Sequence, residues 1–345
     1  MDHSFARRTC VSLLALATAA GTAAAGTIGI NVVLNTDPTP AVLAALGAHG
    51  RVRDVFPALD AVTLQADQRQ LEAVRALPFV AAANPDAERK GGPVDTVAAS
   101  SFTGGLNTWN LDAVNVTNLQ PGPDRTIPFD GTGVYVAVLD SGLLDSWRQY
   151  FPQERIATQF ARAFSGGGGA GVVSEAVNQW QHDQNSHGTH VTSAILGYSL
   201  NGTPINGVAP RATVIPVKVL NQAGFGWSSV IARGIVYVAD LKTSGALGQA
   251  PVVINMSLGG SVLDAVEKAA VDYAVARGVI IVAAAGNEGE AGMGYPGAYA
   301  PVISVAAGGW NGQWVAGNWW NARDVADPAA AGDFYIADFS SREKA

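Results

Sequence analysis

Two hydrophobic patterns alternate along the second two-thirds of the chain. Short, nearly continuous apolar runs at 134–139, 213–220, 252–256, 280–285 and 302–306 have the length and composition of strands buried on both faces. Between them, 228–243 and 262–277 carry helical patterns, the second stopped by Gly278. Strands alternating with helices of this length predict an α/β fold, a three-layer, doubly wound parallel sheet with helices on both faces.

Ahead of this the pattern changes. Residues 28–34 are rich in β-formers; Thr39 and Pro40 open a helix that ends in the glycines at 47 and 50; strands follow at 52–56 and 61–65. Asp67 and Gln70 have the spacing of a capping box for a helix running to Leu77, and 79–83 closes the set. Residues 26–90 therefore predict a small ferredoxin-like α+β module of βαββαβ order. The stretch 87–105 is polar, glycine-bearing and without period, so it reads as an exposed linker open to proteolysis, with the processing region at 91–105 and the second domain from 106 to 345.

Composition narrows the class. The 345 residues are 48% apolar and only 14% charged, with 40 glycines, which suits a glycine-turned sheet covered on both sides. A net charge of −7 offers no basic footprint for nucleic acid. Residues 1–25 have the three parts of an export signal: Arg7 and Arg8, an apolar run at 11–20, and three alanines before Gly26. That run is too short to span a bilayer, so a secreted protein without a stable membrane anchor is expected. Cys10, the one cysteine, lies inside the signal, which excludes disulfides and thiol chemistry from the processed chain.

The candidate chemistry centres on HDQNSHGTHVTSAILG (182–197), which holds three of the five histidines and an aspartate just ahead of an apolar run. A loop feeding a helix places a histidine at the helix mouth. A surface histidine cluster and a metal site from His182, His187 and His190 are the competing readings, the latter lacking HExxH spacing or a cysteine. Asp140 ends the apolar run at 134–139, where parallel α/β sheets gather their sites. The glycine-rich stretch 165–171 reads as a flexible surface excursion; with no feeding strand and no GK[ST] it is not a nucleotide loop.

HGTHV (187–191), VAVLDSG (136–142) and AAAGNEG (283–289) together resemble, in order, three signatures of the subtilisin-like serine proteases. The resemblance implies His187 as general base, Asp140 as its orienting carboxylate and Asn287 as oxyanion donor. It likens 26–90 to the inhibitory prodomain of that family, which folds the protease and plugs its cleft, and 107–116 to the helix that opens the mature domain. Gly224, Phe225, Gly226 and Trp227, and Ser257, Leu258 and Gly259, match segments that sandwich substrate as an added strand; Ala284, Ala285 and Gly286 would line the primary pocket. Calcium ligands common in the family have no residue-by-residue counterpart here, so no cofactor or metal site is assigned. Peptide or protein substrates, the chain's own prodomain and a monomeric state are the expected partners.

The fourth signature, GTSMA with the nucleophile, does not occur in the chain. After Asn287 the serines are Ser304 in an apolar run and Ser340 and Ser341 in ADFSSR; the S-x-x-K spacing of Ser341 and Lys344 stands at the chain end with no helix to hold it. Two classes follow: a serine endopeptidase precursor whose serine lies beyond this chain, or a catalytically dead peptide-binding relative.

Overall fold

The computed structural model describes residues 26–91, 109–116, 127–200, 203–310 and 334–343. The export-signal reading of 1–25, Lys344 and most of the 91–105 processing region fall outside these residues.

The N-terminal module comprises β1 (Thr27–Leu34), α1 (Pro40–Gly47), β2 (Arg51–Phe56), β3 (Ala61–Asp67), α2 (Leu71–Arg75) and β4 (Val80–Pro85). Its antiparallel sheet runs β2-β3-β1-β4, the ferredoxin-like order expected. Strand alternation separates two faces. Ile30, Val32, Val62 and Leu64 pack with Leu46 of α1 and Val74 of α2, whereas the buried Asn31 and Thr63 point the other way. Thr39 caps α1 as expected, accepting from the Val42 amide at 3.4 Å. The capping box at Asp67 does not form: Asp67 accepts from the Arg69 amide, Gln70 bonds His49, and a 3-10 turn shortens α2.

The rest of the chain adds β5 (Glu88–Gly91), α3 (Trp109–Ala113), β6 (Tyr135–Asp140), β7 (Arg162–Gly166), β8 (Val173–Glu175), α4 (His187–Leu196), β9 (Gly197–Leu200), β10 (Thr203–Asn206) and β11 (Thr213–Lys218). There follow β12 (Phe225–Trp227), α5 (Ser228–Thr243), β13 (Val252–Met256), β14 (Leu258–Gly259), α6 (Ala265–Ala276), β15 (Ile280–Ala284), β16 (Ile303–Val305), β17 (Gly308–Trp310) and β18 (Phe334–Ile336). Seven strands form the main sheet in the order β16-β15-β13-β6-β11-β7-β8, parallel from β16 to β7 and antiparallel at β8. Its central strand shows why the apolar runs are continuous. Ala137 and Leu139 face Ile231 and Ile235 of α5 and the α6 residues Val271 and Ala274, while Val136 and Val138 face Trp147, Phe151, Trp180 and Leu196 of α4. On that second face the cover thins toward β15 and β16, where Ile280, Ile303 and Val305 are 47%, 55% and 52% exposed. Among the described residues no helix is long and apolar enough to cross a membrane.

The polar face of the module docks on the N-terminal ends of α5 and α6. The Asp86 carboxylate accepts from the Ser229 amide at 3.1 Å, from the Ser229 hydroxyl at 2.5 Å and from the Ser228 hydroxyl at 3.0 Å. Asp264 caps α6 through the Val266 and Glu267 amides and accepts from Asn31 and Asn84, while the Asn84 side-chain oxygen takes the Ala265 amide. Burial pushes the Asp86 carboxyl up from its ordinary value, against the pull of the Ser229 hydrogen bond.

The glycine-rich stretch 165–171 is only partly the surface excursion expected: Ser165, Gly166, Gly169 and Ala170 are exposed, but the turn is docked against the N-terminal module. Gly168 is buried and donates to Asp86, while the carbonyls of Gly169 and Gly171 accept from Gln65 and Thr63. Contact this close needs glycine at position 29, where a Cβ would collide with the Gly168 carbonyl; at Gly168 a Cβ would instead strike the Trp227 ring.

Asp86→Ala leaves the first turn of α5 without its carboxylate acceptor. Loss of such a cap, with a buried hydroxyl pair left open, is expected to cost about 2 kcal/mol in urea unfolding, and amide exchange at the start of α5 should accelerate. An unchanged unfolding midpoint would refute the capping role.

Candidate active site

Asp140 arrives at the carboxyl end of β6 and is fully buried. Its carbonyl accepts from the Val219 and Leu220 amides, which pins the strand end, and its Oδ1 takes the Ser141 amide at 2.6 Å. His187 opens α4 from a loop organised by Asp183, whose buried carboxylate accepts from the Asn185 and Ser186 amides, both at 2.9 Å, and from the Thr189 hydroxyl. Ser186, at φ 71°, makes the sharp entry, and the Gly188 amide donates to Ser141 at 2.8 Å, tying the helix start to the strand end.

These restraints bring His187 Nδ1 to 2.8 and 2.9 Å from the two carboxylate oxygens of Asp140. With Nδ1–H donated to the carboxylate, neutral His187 carries its free lone pair on Nε2, the arrangement a general base requires. Burial pulls the His187 pKa down, but the hydrogen bond and charge of Asp140, helped by Asp183, prevail and leave it above the ordinary histidine value. His182 and His190 are exposed, and among the described residues no group of three or more His, Cys, Asp or Glu is arranged to hold a metal ion.

The two glycine-bearing segments flank a third strand. β5 lies between β12 and β14 as a three-stranded antiparallel sheet, with Lys90 opposite Phe225 on one side and Gly259 on the other. Gly91 pairs with Leu258 and donates its amide to the Gly224 carbonyl at 2.9 Å. A Cβ on Gly91 would stand 3.3 Å from His187 Nδ1, so the strand runs directly past the base. Residues 88–91, expected in an exposed linker, are thus a paired strand, because both of its edges find backbone partners.

A cleft of about 860 Å³ opens beside this strand, walled on one side by Arg89, Lys90 and Gly91 and on the other by His187, Ser257, Leu258, Ala284, Gly286 and Asn287. Ala285 turns away and is buried. Glu288 is exposed, yet its carboxylate folds back onto its own loop, accepting from the Asn287 amide at 2.7 Å and from the Ser341 hydroxyl at 3.0 Å. The serines near the end of the chain are engaged elsewhere: Ser341 also accepts from the Glu288 amide, and Ser340 accepts from the Ala307 amide. Among the described residues no serine hydroxyl is hydrogen-bonded to His187.

Sequence reasoning missed Asp183, Asp86, Arg89 and Glu267. For Glu267 a signal existed: its three-residue spacing from Asp264 is that of a capping box. Its carboxylate, however, turns to Arg89 instead of back to the cap.

Comparison with known proteins agrees with this geometry. The model of the Subtilase family matches residues 131–344. Subtilisin E of Bacillus subtilis (strain 168) is 38% identical over 183 residues, 52% of this chain and 42% of that protein. A thermostable alkaline protease of Halalkalibacterium halodurans is 36% identical over 205 residues, 59% of this chain and 48% of that protein. The chain therefore spans less than half the length of these curated relatives. Fervidolysin from Fervidobacterium pennivorans, titled a keratinolytic enzyme related to subtilisin, shares the fold with a TM-score of 0.63 at 23% identity, over 92% of this chain and 45% of that one.

Because the folded-state pKa of His187 is raised, the pair contributes its full stability below the unfolded histidine value of about 6.5, and that contribution fades as pH rises through the folded value. Ring NMR should show His187 titrating above an exposed histidine. Asp140→Asn removes the charge but keeps the burial, so it should drop the titration below the ordinary value and lower stability most at acid pH. An unmoved titration in Asp140→Asn would exclude the pair as its cause.

Proposed function

The chain belongs to the subtilase family, and from that premise we propose that it is the precursor of a secreted serine endopeptidase whose nucleophilic serine lies beyond this chain. The observation that carries the proposal is β5, held as an added strand between β12 and β14 with Gly91 beside His187. An extended peptide bound in this way gains affinity from main-chain hydrogen bonds and selectivity from side-chain pockets, and it presents a carbonyl to the catalytic groups.

In this reading His187 removes the proton from the serine hydroxyl as it attacks the scissile carbonyl and later gives it to the leaving amine. Asp140 fixes the tautomer and stabilises the imidazolium, and Asn287 donates to the oxyanion. Residues 26–90 act as the inhibitory prodomain, docked through Asp86 and the α6 cap, with 88–91 occupying the groove as substrate would and processing following within 91–105. The export pattern at 1–25 supports secretion, and the enzyme works as a monomer on protein or peptide substrates. The primary pocket, walled by Ala284 and Gly286, favours large apolar residues before the cut; folding of Glu288 back onto Ser341 keeps its charge occupied.

A second reading, a binding protein that holds peptides without cutting them, is favoured for the chain as it stands by the engagement of Ser340 and Ser341 elsewhere.

Peptide esters distinguish the two. This chain by itself should show no enzymic turnover, and extension with a serine-bearing segment after Ala345 should confer it, with His187→Ala then costing several orders of magnitude. Turnover by the unextended chain that a fluorophosphonate blocks at Ser341 would overturn the assignment. In the extended protein a peptide library should show aromatic or large aliphatic residues preferred by about one to two decades, the equivalent of burying one such side chain. A dominant Lys or Arg signal that vanishes in Glu288→Gln would refute the apolar pocket.

A further inference from the structure

Alternation along β5 turns Glu88 and Lys90 outward and Arg89 inward. The Arg89 side chain is completely buried, and so is the carboxylate it meets on the first turn of α6, that of Glu267. The contact is forked: Arg89 Nε lies 2.9 and 3.2 Å from the two Glu267 oxygens, and Nη2 bonds Glu267 Oε2 as well. Nη2 also donates to the Val262 carbonyl at 3.0 Å, and Nη1 to the strand's own Glu88 carbonyl at 3.0 Å. Gly260 makes room for the guanidinium, since a Cβ there would stand 2.9 Å from Nη1.

The ownership of these groups is uneven. Glu267, Val262 and Gly260 belong to the body that walls the groove, whereas the cation arrives only with the strand that fills it. Burial pushes the Glu267 carboxyl up and Arg89 opposes it; a buried carboxylate without a partner is costly, so the site favours an occupant that returns a matching cation. A planar guanidinium fits a forked carboxylate with an adjacent carbonyl better than an ammonium does.

We propose that Glu267, with the Val262 carbonyl and the space left by Gly260, is an acidic subsite that selects arginine in a bound peptide, two positions before the residue that takes the place of Gly91 beside His187. This rests on the reading of the groove as a peptide site and adds a specificity that the apolar primary pocket does not supply. Arginine is preferred over lysine, and both over apolar or acidic residues.

Fluorescence anisotropy tests it with a labelled peptide, Glu-Arg-Lys-Gly-Gly, and versions bearing Lys, Met or Glu in place of Arg. They are titrated into the full chain and into Arg89→Ala, in which the tethered strand competes less. The tether lowers every apparent affinity by a common factor, so the ranking holds in both proteins. The Arg peptide should bind about 100-fold more tightly than the Met peptide, as expected when one partner of a buried charge pair is removed, and Glu267→Gln should collapse that ratio to below about tenfold. Equal or tighter binding of the Met peptide overturns the subsite and leaves the groove reading standing. A ratio unmoved by Glu267→Gln removes Glu267 from the role. Binding of none of the peptides to Arg89→Ala, in which the tethered strand has lost its buried anchor, overturns the groove reading itself, and the subsite with it. The peptide series on unaltered Glu267 keeps the test decisive if Glu267→Gln fails to fold.

Discussion

A buried helix end must find acceptors for its first amides, and in this molecule two helices share the problem at one place. α5 and α6 both start beneath the N-terminal module, and Asp86, Asn84 and Asp264 satisfy them. Because Asp86 and Asn84 come from the module, the module is held by specific hydrogen bonds as well as apolar contact. Two residues after Asp86 the chain enters the groove, so the cap also sets the register of β5 and with it the placing of Gly91 against His187. Docking, groove filling and the burial of Arg89 follow from one short run of sequence.

The groove contains two buried ion pairs with different consequences. Between Asp140 and His187, the histidine can lose its proton, and the carboxylate sets which nitrogen is free when it does. Between Arg89 and Glu267, the guanidinium stays charged, so the pair acts as a fixed grip. One pair is suited to proton transfer and the other to recognition, and the strand that supplies Arg89 passes the first pair as well.

What the sequence revealed depended on the range of the interaction. Local apolar rhythm gave Ser228–Thr243 and Val252–Met256 with their observed bounds, since those elements are decided by the faces they bury. The neighbourhood of Asp140 and His187 was legible because each sits in a distinctive short motif. The docking contacts were not: Asp86 finds Ser228 142 residues away, and Arg89 finds Glu267 at a separation of 178. No periodicity encodes such partners. The glycine-rich stretch misled for a related reason, because glycine marks close backbone approach as well as loose loops, and the distant Gly29 decides which. At Asp67 the capping spacing was present, but a neighbouring arginine and His49 took the side chains it would have used.

The thin cover over one end of the main sheet has a consequence of its own. Among the described residues β16 is the outermost strand there, and Ile303 and Val305 face outward with Ile280 beside them on the next strand. An outermost strand bearing exposed branched aliphatic side chains combines open backbone groups with an adhesive surface, the two ingredients of strand-to-strand aggregation. Among the described residues this edge, on the opposite side of the sheet centre from β7 and β8, is therefore one colloidally weak point, and a charged substitution at Ile303 or Val305 would raise solubility.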